Sequence, residues 1–158
     1  MKKCIYLIAM VISFSIVGCT SKQTPNITDK QRAEIEKEVS GQWELFLKAV
    51  EKADANEFCT FLSDQFIAMY SQGHSFAGRQ TYCDSVKSWF AGRNSCEISN
   101  KIVKFNVLSK RYVMVDQESD FKVILKDNTE ESIHHTVSML FSKEETAWKI
   151  IHGHESWK

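Results

Sequence analysis

Two histidines one residue apart stand near the C-terminus, in "WKIIHGHESW" at residues 148–157. On a β-strand residues i and i+2 share a face, so His152 and His154 are predicted to project together. Such a pair can clasp a metal, move a proton, or hydrogen-bond to the occupant of a pocket. Adding His135 gives three imidazoles, the number of protein ligands in an open zinc site. No Asp, Glu or Cys at ligand spacing supports that use, so neither a metal nor another cofactor is expected. Acid–base work needs only one histidine, which titrates near neutrality and is the usual general base. His152 is the candidate catalytic residue, because His154 lies nearer the strand end, where solvent reaches.

The strands that must carry these residues follow one another closely. "CEISNKIVKFNVLS", "RYVMVDQESDFKVILK", "ESIHHTVSMLFS" and "AWKIIHGHES" are separated by short polar turns, which predicts an antiparallel meander. In the second, Val113, Val115, Phe121, Val123 and Leu125 share one parity, interrupted by Gln117 and Ser119. In the third, Ile133, Val137, Met139 and Phe141 are interrupted by His135, and in the last Trp148 and Ile150 lead into His152 and His154. Polar groups buried without partners cost about 1–3 kcal/mol each, so polar residues recurring on one apolar face point to a pocket.

Ahead of the strands the spacing is helical. Thr28 and Gln31 form a capping box, and Ile35, Val39, Trp43, Phe46, Val50 and Ala53 make an apolar stripe on a helix of about 25 residues. Asp54 caps a short second helix, "FIAMYS" (66–71) is a strand candidate, and Gly73 and Gly78 carry turn signals. Tyr82, Val86, Trp89 and Phe90 give a third helix, ended by Gly92. Helices first and strands afterwards predict an α+β domain with helices over one sheet face. Between them Trp43, Phe46, Tyr70, Trp89 and Phe121 would form an aromatic wall, and Gln117, Ser119, His135, His152 and His154 would orient a ligand.

The first residues set the frame. Lys2 and Lys3 precede an apolar run, Ile5 to Val17, too short to span a bilayer. That is the layout of a secretory signal peptide, residues 1–18. "IVGC" at 16–19 resembles the lipobox of bacterial lipoproteins, which implies cleavage before Cys19 and lipid attachment there. Thr20 to Ile27 read as a polar tether around the only proline, Pro25. The expected location is the cell envelope, and the absence of an acidic residue directly after Cys19 favours the outer membrane. Residues 28–158 then form one domain with a sizeable core. Twenty basic and twenty acidic residues balance, which argues against a nucleic-acid partner. Beyond Cys4 and Cys19, three cysteines remain, Cys59, Cys83 and Cys96; an exported compartment permits a disulfide, but the pairing is open.

The order of elements, together with Trp43, "EKADANEFCTFLSDQFIAMYS", the glycines at 73 and 78 and the closing "WKIIHGHES", resembles the SnoaL-like branch of the nuclear transport factor 2-like superfamily over residues 30–157. The resemblance implies a cone: three N-terminal helices packed on a strongly bent antiparallel sheet, with a pocket between, and often pairing of two copies through the sheet. It covers isomerases, dehydratases, cyclases, binding modules and dimerisation domains. The catalytic patterns do not transfer directly. The first helix offers Trp43 and Phe46 where ketosteroid isomerases have tyrosine, and the late strands place no carboxylate inward, since Asp116 and Glu118 have outward parity. The expected function is binding of a small, partly apolar molecule. The alternatives are an isomerase, dehydratase or hydrolase using His152, and a non-catalytic docking or dimerisation module using the outer sheet face around Tyr112 and Met114.

Overall fold

A computed structural model describes residues 27–158. The predicted signal segment, Cys19 and all of the tether except Ile27 lie outside the described residues. Helices α1 (Asp29–Glu51) and α2 (Ala55–Thr60) lead into a hairpin of β1 (Ala68–Ser71) and β2 (His74–Ala77). Then come α3 (Arg79–Ala91) and four long strands: β3 (Arg93–Val107), β4 (Tyr112–Leu125), β5 (Glu130–Lys143) and β6 (Trp148–Trp157).

The helix boundaries follow from local chemistry. Thr28 accepts from the Gln31 backbone N–H while Gln31 Oε1 accepts from the Thr28 N–H, each at 3.2 Å. These bonds occupy donors that the first helical turn leaves free. Asp54 caps α2 through the N–H groups of Asn56 and Glu57. Gln72 and Gly73 both take positive φ in the two-residue β1–β2 loop, the combination that a primed hairpin turn requires.

β3 to β6 form the predicted antiparallel meander. The sheet as a whole is mixed, which corrects the expectation of an antiparallel one. Its order is β2-β1-β6-β5-β4-β3, and β1 runs parallel to β6. The chain leaving α2 has already bonded to that edge: Ile150 N–H donates to the Phe61 carbonyl and Ser63 N–H to the Ile150 carbonyl, both at 2.9 Å. β1 continues along β6 in the same sense.

The core lies between the helices and the inner sheet face. Val39, Trp43, Phe46, Leu47 and Val50 descend from α1 onto Val113, Val115, Phe141, Trp148 and Ile150. The buried parity of β4 and β5 is the predicted one, polar interruptions included. A disulfide joins Cys59 on α2 to Cys83 on α3, and Cys96 is free and buried. Among the described residues no helix is long and apolar enough to cross a membrane.

One surface carboxylate ties α1 to the last hairpin. Glu38 accepts from Lys143 Nζ at 2.6 Å and from Trp148 Nε1 at 2.8 Å. These bonds, Lys143 first, hold its pKa below the ordinary 4.5. A depressed acid contributes stability above its unfolded pKa and loses it as pH falls through the folded value. Urea unfolding followed below about pH 4.5 should therefore show an acid-side decline that is shallower in Glu38→Gln. An unchanged slope would mean that Glu38 contributes nothing to the pH dependence.

Candidate functional site

The geometry of the site is set by one extra residue in β6. Phe141 pairs with Ile150 while its neighbour Leu140 pairs with His152, which leaves Ile151 opposite nothing. A bulge of this kind sends every later side chain to the opposite face. Met139 therefore faces Gly153, Val137 faces Glu155 and His135 faces Trp157. From β1, Met69 and Ser71 join the same inward row opposite Gly153 and Glu155. Gly153 suits this place because a Cβ there would lie 2.7 Å from Met69 Cε and 3.0 Å from its Sδ.

Between this row and the helices lies a cavity of about 210 Å³. Trp43, Phe46 and Phe58 wall it from α1 and α2, Tyr82, Val86 and Trp89 from α3, and Phe121, His135, Val137, Glu155 and Trp157 from the sheet. Ser71, Gln72, His74 and Phe76 of the β1–β2 hairpin also line it, as do Gln117 and Ser85. The volume falls short of the roughly 300–1,000 Å³ of sites for drug-sized molecules, so an occupant must be small. The walls are held in register by aromatic contacts. Trp43 stacks on Phe46 with centroids 5.1 Å apart, Trp89 on Trp157 at 5.6 Å, and Phe58 meets Tyr82 edge-on at 5.8 Å.

Two polar groups serve the architecture of the wall. Trp43 Nε1 donates to Gln117 Oε1 at 2.8 Å, and Gln117 Nε2 donates to Ser119 Oγ at 3.0 Å. Gln117 is 3 % exposed and Ser119 1 %. Trp43 brings a large apolar body with one N–H that burial obliges to find a partner, and Gln117 is that partner.

A second pair is more open to chemistry. His135 Nε2 lies 3.2 Å from Glu155 Oε2, and the two residues are diagonal neighbours on the inner face. His135 Nδ1 is buried and has no partner among the described residues. The His135 ring packs against Phe121 at 4.7 Å and Trp157 at 5.8 Å. Nearby, burial and then the Glu155 charge push Tyr82 well above the ordinary 10.0, so it remains a phenol able to donate. Behind Trp89 sits Arg93, 2 % exposed, its Cζ 3.0 Å from the Trp89 ring centroid and 4.4 Å from that of Phe90. Burial lowers its pKa to about 10, with Cys96 and Glu155 acting the other way. It is thus a cation at neutral pH, stabilised by ring faces.

The predicted site residues divide accordingly. Trp43, Phe46, Trp89, Phe121, Gln117 and His135 line the cavity, and Ser119 lies buried behind Gln117. His152 and His154 do not. The bulge at Ile151 turns them to the outer face, where His152 Nδ1 donates to the Ala68 carbonyl at 2.9 Å and packs near Tyr70, and His154 is exposed. The candidate catalytic role of His152 is corrected on this ground, and a three-imidazole metal site is split by the sheet. Among the described residues no cluster of three or more His, Cys, Asp or Glu could hold a metal. Tyr70 is corrected too: it is 46 % exposed, because Met69 and Ser71 take the inward positions of β1. Glu155, on β6, faces inward, and Tyr82 from α3 lines the cavity; neither was among the expected pocket residues. Gly153, a glycine within a strand, was the available signal for a bulge or close approach.

Six strands with helices over one face, enclosing a cavity, define the nuclear transport factor 2-like class, and known structures agree. A nuclear transport factor 2-like superfamily protein from Salmonella enterica superposes with a TM-score of 0.71 at 12 % identity, over 79 % of this chain and 92 % of that one. A ketosteroid isomerase-like protein from Erwinia carotovora gives 0.69 at 15 %, over 78 % and 96 %. A hexachlorocyclohexane dehydrochlorinase from Novosphingobium barchaimii gives 0.69 at 13 %, over 83 % and 91 %. At such identities these likenesses establish the fold alone. Residues 41–158 match the SnoaL-like domain, and the chain belongs to that family. No curated protein matches it.

The buried Trp43–Gln117 bond can be tested by stability. Gln117→Leu should cost about 1–3 kcal/mol in urea unfolding, since it orphans the indole N–H. The double variant Trp43→Phe/Gln117→Leu should cost less than the two single changes summed. Strict additivity would show that the bond couples nothing.

Proposed function

We propose that this chain is a cell-envelope lipoprotein, anchored through Cys19, whose domain binds a small, partly apolar molecule in the helix–sheet cavity. The observation that carries the binding reading is an aromatic cavity whose sheet wall holds, beside Glu155, a buried nitrogen with no partner among the described residues, His135 Nδ1. Specific small-molecule sites have this form, an apolar enclosure with few polar groups that fix orientation. The sheet irregularities at Ser99–Ile102 and Ile151 are the bends that a cone closing round such a cavity would use. The anchor rests on Lys2, Lys3, the apolar run and "IVGC", and several acyl chains on one residue would hold the membrane stably.

One observation favours a second reading. With Glu155 accepting from His135 Nε2–H, the imidazole is oriented and its Nδ1 lone pair is the basic site, the arrangement of a general base with its orienting carboxylate. Tyr82, held as a phenol, would be a donor for charge developing on an oxygen. An isomerase or eliminating enzyme on this site would therefore use His135, the residue that replaces His152 in the role. The similar structures of a ketosteroid isomerase-like protein and a hexachlorocyclohexane dehydrochlorinase make that chemistry reasonable for the fold.

Trp43, Trp89 and Trp157 line the cavity, so intrinsic fluorescence reports its occupancy. A screen of small aromatic and alicyclic molecules should find ligands whose affinity falls about tenfold in His135→Phe, the loss of one hydrogen bond of about 1.4 kcal/mol, and is unchanged in His152→Ala. Equal losses in both variants would sink the site assignment. Turnover of any such ligand, abolished in His135→Phe, would decide for the enzyme. Cys19→Ser should release the protein from the membrane fraction, and continued membrane association would rule out the anchor.

A further inference from the structure

The chemistry of the cavity's polar wall restricts what it can hold, an inference that rests on the binding reading above. Glu155 is 9 % exposed, lines the cavity, and among the described residues only its Oε2 is hydrogen-bonded. An ionised carboxylate accepts and never donates. The hydrogen in the His135–Glu155 contact therefore belongs to His135 Nε2, and in the neutral imidazole Nδ1 is left as an acceptor. Nδ1 is buried and without a partner. The polar end of the cavity thus offers two unfilled acceptors, the second Glu155 oxygen and His135 Nδ1.

Among the described residues no donor on the lining fills them, although the Tyr82 and Ser71 hydroxyls also face the cavity. The Gln117 amide and the Trp43 N–H bond within their own network. Among the described residues no lysine or arginine lines the cavity; Arg93 lies behind the Trp89 and Phe90 rings. Its positive charge and Glu155 attract one another. A buried acceptor left unpaired is costly, and a site built around one rejects a ligand that cannot donate more strongly than it rejects a misfit methyl group. A ligand carboxylate would meet the Glu155 charge inside an aromatic enclosure where no cation answers it.

We propose that the cavity selects small apolar molecules that carry one O–H or N–H donor and no negative charge, the class of phenols, alcohols and amines, with the donor bonded at the His135–Glu155 end. Ethers and carboxylates of the same shape are excluded.

Three probes of one shape test this on the full-length protein in detergent: 4-methylphenol, 4-methylanisole and 4-methylbenzoate, titrated against tryptophan fluorescence. The phenol should bind at least about tenfold more tightly than its methyl ether, the weight of a single hydrogen bond, and the carboxylate should bind weakest. In Glu155→Gln the discrimination against 4-methylbenzoate should narrow, and ¹⁵N spectra of the wild type should show His135 protonated at Nε2 alone. An ether that binds as well as the phenol, or a carboxylate that binds best, overturns the donor rule and leaves the cavity as a binding site. Should none of the three bind, and toluene likewise fail to bind, the binding reading itself falls and the donor rule with it.

Discussion

The unpaired Ile151 decides which side chains of β6 meet the cavity, and most of the site's chemistry depends on it. Up to Ile150 the strand buries Trp148 and Ile150 under α1. Beyond the bulge it buries Gly153 and Glu155 and turns Trp157 toward His135 and Trp89. Without the extra residue His152 and His154 would face inward and Glu155 outward. The bulge is held from both sides: β5 pairs on either side of it, and β1 pairs in parallel from Ala68↔His152 to Ser71↔Glu155. Gly153 lets Met69 and Met139 close over the turn of parity. A bulge beside a cavity that re-aims a carboxylate is a recurrent use of this irregularity.

The polar groups brought inward fall into two kinds. Trp43, Gln117 and Ser119 satisfy one another and hold the long first helix to the middle of the sheet. Such a network rigidifies because each member would be costly alone. His135 and Glu155 satisfy each other only in part, and Arg93 is balanced by aromatic faces and by charge at a distance. Incomplete satisfaction is where a core of this kind keeps capacity for a ligand, and it sits on the sheet wall, where rigid strands fix its geometry.

Much of this was legible from residue order. Helix starts are local: Thr28 with Gln31 and Asp54 with Glu57 act through bonds spanning three residues, so spacing alone reveals them. β4 and β5 pair with no register shift, so the parity that buries Gln117, Ser119 and His135 could be read directly. What failed was long-range. The bulge at Ile151 lies where β6 pairs with β5 on one edge and meets β1 on the other, and the parallel partner β1 is some eighty residues away. Tyr70 looked like a wall residue by type, yet its exposure follows from that same pairing. The Cys59–Cys83 link depends on how α2 meets α3, which no spacing reports.

That link bears on how the cavity keeps its shape. Phe58 and Tyr82 each precede a bridged cysteine and meet edge-on across the cavity wall. Arg79 adds a bond from α3 to the Cys59 carbonyl at 2.9 Å. The helical wall is thereby fixed covalently and by hydrogen bonding, and the sheet wall by its ladders. The less tied part is β2, which is mostly exposed and among the described residues pairs with β1 alone, whereas β1 is laddered to β6 and Gln72 Nε2 donates to the Trp157 carbonyl. A ligand settles most closely in such a cavity where most of the walls hold and one can adjust. The fastenings leave β2, which carries His74 and Phe76 over the cavity, as the part of the wall with least to lose by adjusting.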